Sequence, residues 1–277
     1  MNKNTISEPA TMGVESTSKE IRIENLSKTY NKGTQQSVRA LKDIDFTVSD
    51  GEFLSIVGPS GCGKSTLMEI IAGLIPKSSG SVRIGDEEVT SPRIEIGVVF
   101  QEYSLFPWRT VLRNAEFGLE LMGINEDERR DRTREMLNLV GLDSFEQSYP
   151  DELSGGMQQR VALARTLAAD PDILLMDEPF GALDEQTRMY MGEELLRIWS
   201  ETEKSVIFIT HSLQESVLLA DRVAVMSDRP GQIREIIEID LDRPRGTDII
   251  GTEPFNEAQS RIWELIKDAS TPEGLSD

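Results

Sequence analysis

Short apolar runs of strand length recur along this chain and alternate with stretches in which apolar positions return every three or four residues. Glu52-Phe53-Leu54-Ser55-Ile56-Val57, Ile96-Gly97-Val98-Val99-Phe100, Ile173–Met176, Val206–Thr210 and Arg222–Met226 read as strands. Ile21–Leu26, Val38–Val48 with a break at Lys42-Asp43, Ser81–Ile84 and Ile233–Leu241 give further strand patterns. Helical spacing covers Thr66–Leu74, Val111–Met122, Gly155–Ala169, Glu185–Trp199, Leu213–Ala220 and Asn256–Asp268. Glu126–Val140 is a charged helix with Met136, Leu137 and Val140 on one face. Strands alternating with helices predict an α/β fold on a largely parallel sheet. The helices between about 102 and 165 read as an insertion into it.

Composition narrows the class. With 38% hydrophobic and 28% charged residues over 277 positions, the chain is an ordinary globular one. No apolar run approaches the roughly 18 residues that span a bilayer. The opening segment MNKNTISEPATMGVESTSKE lacks the apolar core of a signal peptide. The chain is therefore expected in the cytoplasm, reaching a membrane only through a partner, and residues 1–18 read as a flexible extension. The net charge of -20 argues against nucleic acid as the main ligand, because binding a phosphate backbone needs clustered positive charge. It fits a solvated acidic surface. Adaptation to a salty cytoplasm is a second reading, to which the scarcity of lysine, 9 of 29 basic residues, adds weak support. One cysteine, Cys62, and one histidine, His211, exclude an intrachain disulfide, a cysteine cluster and a multi-histidine metal site. Mg2+ with oxygen ligands remains.

Gly58-Pro59-Ser60-Gly61-Cys62-Gly63-Lys64-Ser65-Thr66 is a complete phosphate-binding loop, set between a predicted strand and a predicted helix. Its glycines let backbone N–H groups turn inward around phosphates, and the helix that follows points its positive end at them. Lys64 is expected to reach the β and γ phosphates, and Ser65 to ligate Mg2+. Asp177 ends an apolar strand, a position from which a carboxylate holds Mg2+ through water, and Glu178 stands beside it. Ser154, Gly155 and Gly156 open another helix, where a hydroxyl, backbone N–H groups and a helix N-terminus together suit an anion. Cys62, at the helix end of the loop, reads either as a small filler or as a thiol whose pKa the helix dipole lowers.

About 90 residues separate the loop from Leu153-Ser154-Gly155-Gly156-Met157-Gln158-Gln159-Arg160, which is followed at once by Ile173-Leu174-Leu175-Met176-Asp177-Glu178-Pro179. In this order and spacing the three motifs resemble those of ATP-binding cassette (ABC) ATPases, over about Ile21 to Arg245. The resemblance implies a P-loop NTPase cassette with a RecA-like core, an antiparallel β-subdomain and a helical subdomain. It places the ATPase domain at 19–245 and a tail with one short helix at 246–277. By the same resemblance Tyr30 stacks on adenine and Glu178 polarises the attacking water. Gln101 contacts Mg2+ and water, and His211 contacts the γ-phosphate. Asp184 lies in the loop that crosses a dimer interface. Ser154 and Gly156 would meet the ATP of a second cassette, identical or paralogous, packed head to tail. The signature departs from the family at Met157, where the usual residue is Gln, but its phosphate-facing Ser and Gly are intact.

Softer segments point to transport. Phe100 to Val111, Asp221 to Ser227, Arg229-Pro230-Gly231 and Asp242 to Arg245 resemble importer ATPases for nitrate, sulfonate and taurine. That resemblance implies transmembrane permease subunits and, indirectly, an extracytoplasmic solute-binding protein as partners. The chain would then sit peripherally on the inner face of the membrane. Leu105, Phe106 and Trp108 either line a groove for the permease or belong to the core of the helical subdomain. The alternative is a soluble ABC ATPase outside transport. Such proteins insert long coiled coils or zinc modules between loop and signature, and this chain has neither heptads nor cysteines there.

Overall fold

The computed structural model describes residues 19–202 and 204–269, so the expected extension at 1–18 and the last part of the tail lie outside it. The apolar runs become the strands of a six-stranded central sheet. In chain order these are β3 (Phe53–Val57), β6 (Ile96–Val99), β7 (Ile173–Asp177), β8 (Ser205–Ile209), β9 (Arg222–Met226) and β10 (Ile233–Glu238). Their order across the sheet is β10-β9-β3-β8-β7-β6. The five strands from β9 to β6 run parallel, and β10 pairs antiparallel with β9 at one edge.

Both faces of this sheet are covered, which is why its strands read as unbroken apolar runs. Phe53 and Val57, Leu174 and Met176, Val206 and Phe208, and Val223 and Val225 face one core. Their alternating neighbours Leu54 and Ile56, Ile173 and Leu175, Ile207 and Ile209, and Ala224 and Met226 face a second. The first core is closed by α5 (Gly155–Ala168), α6 (Glu185–Thr202), α7 (Leu213–Leu219) and α8 (Glu253–Ala269). The second is closed by α1 (Lys64–Ile71) and by an antiparallel sheet of order β2-β1-β4-β5. That sheet comprises β1 (Ile21–Tyr30), β2 (Val38–Val48), β4 (Ser79–Ile84) and the two-residue β5 (Glu87–Glu88). The expected parallel α/β core, the antiparallel sheet and the helical layer are all present.

Three local expectations change. The first strand runs on to Tyr30. The break expected at Lys42-Asp43 is a register shift inside a single strand, with Asp43 at φ +45° and its N–H donating to Ser27 Oγ. Val111–Met122 is not one helix but two, α2 (Val111–Ala115) and α3 (Phe117–Leu121), separated at Glu116. Glu116 is fully buried between Arg113 and Arg129, a third helix α4 (Glu126–Leu139) supplying the latter. Apolar periodicity continues across such a break, so it hides the break.

Candidate active site

The carboxyl ends of parallel strands are where open α/β sheets bind ligands. Here four adjacent strands, β3, β8, β7 and β6, deliver predicted residues to that edge, and β9 beside them adds Arg229. Reading across the sheet, β9 leads to Arg229, β3 to the loop at 58–63, β8 to His211, β7 to Asp177 and Glu178, and β6 to Gln101. Ser60, Gly61, Gly63, Lys64, Ser65, Thr66, Gln101, Glu178, His211 and Arg229 line one cleft of about 310 Å³.

The loop joins β3 to α1. Gly63, at the start of α1, has φ +113°, and a Cβ there would lie 2.8 Å from Leu41 Cδ2. Only glycine fits both the backbone and the space. Lys64 is buried and donates to the carbonyls of Gly58 (2.9 Å) and Pro59 (3.0 Å). A buried ammonium held by neutral carbonyls and the Cys62 thiol, with no carboxylate bonded to it among the described residues, is poised for an anion. Cys62 is wholly buried, and burial pushes its thiol up, against the opposing pull of Lys64. Of the two readings of Cys62, the small filler fits this buried site and the dipole-lowered thiol does not.

Asp177 is buried, and its Oδ1 has no hydrogen-bond partner among the described residues. Burial pushes its carboxyl up, and the Ser65 hydroxyl opposes the shift. An orphaned, desolvated carboxylate oxygen beside a serine hydroxyl fits a divalent cation with oxygen ligands. Next to it, Glu178 has φ +49°, unusual for a residue with a side chain. Its Oε1 lies 2.7 Å from Nε2 of His211, and its Oε2 accepts from Nε2 of Gln101 at 3.3 Å. A carboxylate fixed at both oxygens beside a phosphate cradle can orient and polarise a water. Tyr30 ends β1, half exposed, with its hydroxyl 3.3 Å from Thr66 Oγ1. The Lys28 ammonium lies 4.8 Å from the centroid of its ring.

The structure does not bring every predicted residue into this cleft. Ser154 caps α5, its Oγ accepting from the Met157 N–H at 3.3 Å, and Ser154 and Gly155 are exposed outside the cleft lining. Asp184 caps α6, its two oxygens taken by the N–H (3.0 Å) and hydroxyl (2.7 Å) of Thr187, which hold its carboxyl below the usual range.

Two further residues reach the site without having been singled out individually. Arg229 donates from Nε (3.2 Å) and Nη2 (2.9 Å) to the Gly61 carbonyl and has no carboxylate partner among the described residues. Gln159 is buried on α5 and bonds the backbone of the Glu178 segment. Its sequence signal is a polar residue in line with the buried Ala162, Leu163 and Thr166.

Behind His211, Glu215 accepts from Thr210 Oγ1 and lies 3.6 Å from Nε of Arg188. Burial pushes its carboxyl up; Thr210 and Arg188 oppose this, while Glu185 and Glu178 reinforce it. The folded chain thus keeps a proton that the unfolded chain has released. Stability associated with Glu215 is present below the ordinary carboxylate range and is lost as pH rises through the raised pKa. Thermal unfolding across about pH 4 to 7 is expected to show a shallower decline for Glu215→Gln than for wild type. Identical slopes would show that Glu215 is not the group responsible.

The family model described as ABC transporter matches residues 41–181. An uncharacterized ABC transporter ATP-binding protein of Methanocaldococcus jannaschii is 51% identical over 248 residues, 90% of this chain and 91% of that one. The nitrate import ATP-binding protein NrtD of Synechocystis is 46% identical over 91% of this chain and 97% of its own length. The aliphatic sulfonates import ATP-binding protein SsuB of Bacillus cereus is 43% identical over 89% and 96%. Among solved structures, a dimeric bacterial ABC transporter cassette superposes with a TM-score of 0.74 at 34% identity, over 80% of this chain and 100% of that chain. A dimeric post-hydrolysis state of the same cassette holds ADP and Pi.

Proposed function

Because the chain belongs to the ABC transporter family of ATP-binding proteins, and is therefore an ATPase, we propose that it powers a membrane importer. The cargo is a small anion or organic solute of the nitrate, sulfonate or taurine kind. The observation that carries the catalytic part of this reading is the placement of Glu178. It follows a buried Asp177, is fixed between His211 and Gln101, and faces the phosphate loop across one cleft. Relatives named for nitrate and sulfonate import support the solute class.

In this reading the backbone of Gly58 to Gly63, with Ser60 and Thr66, cradles the phosphates, while Tyr30 stacks on the adenine. Lys64 exchanges its loop carbonyls for phosphate oxygens. Ser65, Asp177 and Gln101 would hold Mg2+, which when bound supplies charge neutralisation at the triphosphate. Glu178 orients the water and takes its proton; His211 holds the carboxylate and meets the γ-phosphate. Arg229 adds a second cation to the cleft. Ser154 and Gly155, both exposed, and the half-buried Gly156 lie outside the cleft of their own chain and close over the ATP of a second cassette, with Asp184 at the crossing. Two such chains close on two ATP molecules and reopen after hydrolysis. ATP drives closure only because it binds the closed pair more tightly than the open one.

The surface that would transmit this motion is built as a rigid display. Asn114 is fully buried; its Oδ1 accepts from the Phe106 N–H (2.8 Å), and its Nδ2 donates to the carbonyls of Phe106, Arg109 and Thr110. Arg109 lies over the rings of Phe106 and Phe117 and pairs with Glu120. The segment thus pinned leaves Trp108 72% exposed. An exposed indole on a fixed loop is an anchor for a partner rather than core. Its ring lies 5.6 Å from that of Phe106, so replacing it with Ala should cost no more than an aromatic pair is worth, about 0.5–1.5 kcal/mol. Trp108→Ala is expected to keep the ATPase rate of the isolated chain and to lose a multispanning permease during purification from detergent-treated membranes. Permease recovery equal to wild type would remove Trp108 from the interface.

A further inference from the structure

We infer that Gln159, on the signature helix, is the positioning residue that sets the backbone of Glu178 for hydrolysis; this rests on the ATPase reading above. Gln159 is 2% exposed, and both ends of its amide are used. Nε2 donates to the Glu178 carbonyl at 2.9 Å, and Oε1 accepts from the Ala182 N–H at 3.0 Å. The side chain is a strap across the turn Glu178–Ala182.

That turn needs one. A non-glycine residue in the left-handed region is strained and persists only where its surroundings over-determine it. At Glu178 the N–H is fixed by the Ile209 carbonyl (2.9 Å), and the carbonyl receives the Gly181 N–H (3.0 Å) as well as Gln159. Without the Gln159 donor the carbonyl keeps only the local turn bond. The Glu178 backbone can then relax, swinging the carboxylate away from His211 and Gln101.

The same helix also fixes the opposite side of that carboxylate. Arg165, two turns further along α5, donates to the carbonyls of Tyr103 (3.1 Å) and Ser104 (2.8 Å), in the segment that follows Gln101. At its other end the helix packs directly on the turn: a Cβ at Gly156 would lie 3.2 Å from the Ala182 carbonyl oxygen. A phosphate docking at Ser154–Gly156 from a second chain therefore presses on a helix that holds Glu178 and the Gln101 segment of its own chain. Gln159 links occupancy of one ATP site to the geometry of the catalytic carboxylate in the other.

The test compares Gln159→Met, which keeps length and loses both bonds, with Gln159→Glu, which keeps an acceptor for Ala182 and loses the donor to Glu178. ATP titrations of the full-length protein give kcat, KM and the Hill coefficient, with binding followed separately by a fluorescent ATP analogue. Both variants should lose about 10- to 100-fold in kcat, as expected for a displaced catalytic group. Nucleotide affinity should stay within about twofold and the Hill coefficient should fall toward one. In a Glu178→Gln background, Gln159→Met should add no further loss. A folded Gln159→Met with wild-type kcat and Hill coefficient would overturn the proposal, as would an effect confined to KM. Turnover by Glu178→Gln itself at near the wild-type rate would instead overturn the underlying assignment of Glu178. If neither variant folds, amide exchange in the wild type decides: the Ala182 N–H should be protected although it lies in a turn, and exchange at the rate of an unbonded loop amide would overturn the proposal.

Discussion

Glu178→Gln is expected to abolish ATP turnover while leaving ATP binding intact. The substitution keeps the size of the side chain and an oxygen facing Nε2 of His211, now 2.7 Å from Oε1. It removes the negative charge and the ability to accept the proton of the attacking water. Loss of a positioned general base lowers rates by about 10²- to 10⁴-fold. None of the loop contacts changes, because Lys64 is set by the carbonyls of Gly58 and Pro59 rather than by Glu178. Affinity should be preserved or rise, since one anion fewer faces the phosphates. ATP should therefore still raise the unfolding temperature, a saturating ligand adding about 2.7 kcal/mol at 100 times its Kd. A variant hydrolysing ATP at near the wild-type rate would show that another group activates the water.

Asp177→Asn separates stability from activity. Asp177 is a buried carboxylate whose Oδ1 has no hydrogen-bond partner among the described residues, and burial disfavours its charge. Asparagine fills the same space without a charge to desolvate, so the metal-free protein should unfold at a higher temperature than wild type. The same change removes the anion that fits Mg2+ beside Ser65. Charge stabilisation by a bound metal is worth several kcal/mol, so turnover should fall on the order of 10²-fold or more. The extra thermal stabilisation that MgATP gives over ATP with chelator should vanish. Unfolding curves in chelator and in MgATP, taken with steady-state rates, check both halves. A destabilised variant that kept its response to MgATP would mean that Asp177 is a structural acid and not a metal ligand.

Much of the site was legible because each part is a local feature at the end of an apolar strand. The glycine loop follows β3, Asp177 closes β7, His211 follows β8 and Gln101 follows β6. Linear sequence displays such features, and the parallel sheet then brings their ends together. What it hides is contact between distant side chains and backbone. Gln159 lies within the signature itself, yet nothing local indicates that it reaches the Glu178 carbonyl. Arg229 stands in a segment noted only for its likeness to importers, and its bond to Gly61 depends on β9 lying next to β3. Burial is equally silent: Cys62 carries the signs of an activated thiol at a helix start, and its surroundings reverse the shift. The split at Glu116 escaped because a buried acid between two arginines leaves the apolar rhythm of Val111–Met122 intact. Ser154, Gly155, Gly156 and Asp184 lie outside the cleft lining of their own chain, and the proposed pairing with a second cassette is what would give them a role there.

The central claim, that this ATPase drives a membrane importer, is tested most directly by recovering the tagged wild-type chain from native membranes in mild detergent and identifying its partners by mass spectrometry. The account predicts a multispanning permease, retained with a second cassette, and a solute-binding protein associated with that permease which binds a small anion or sulfonate. Reproducible recovery of soluble partners alone would contradict it and assign the ATPase to a role away from the membrane.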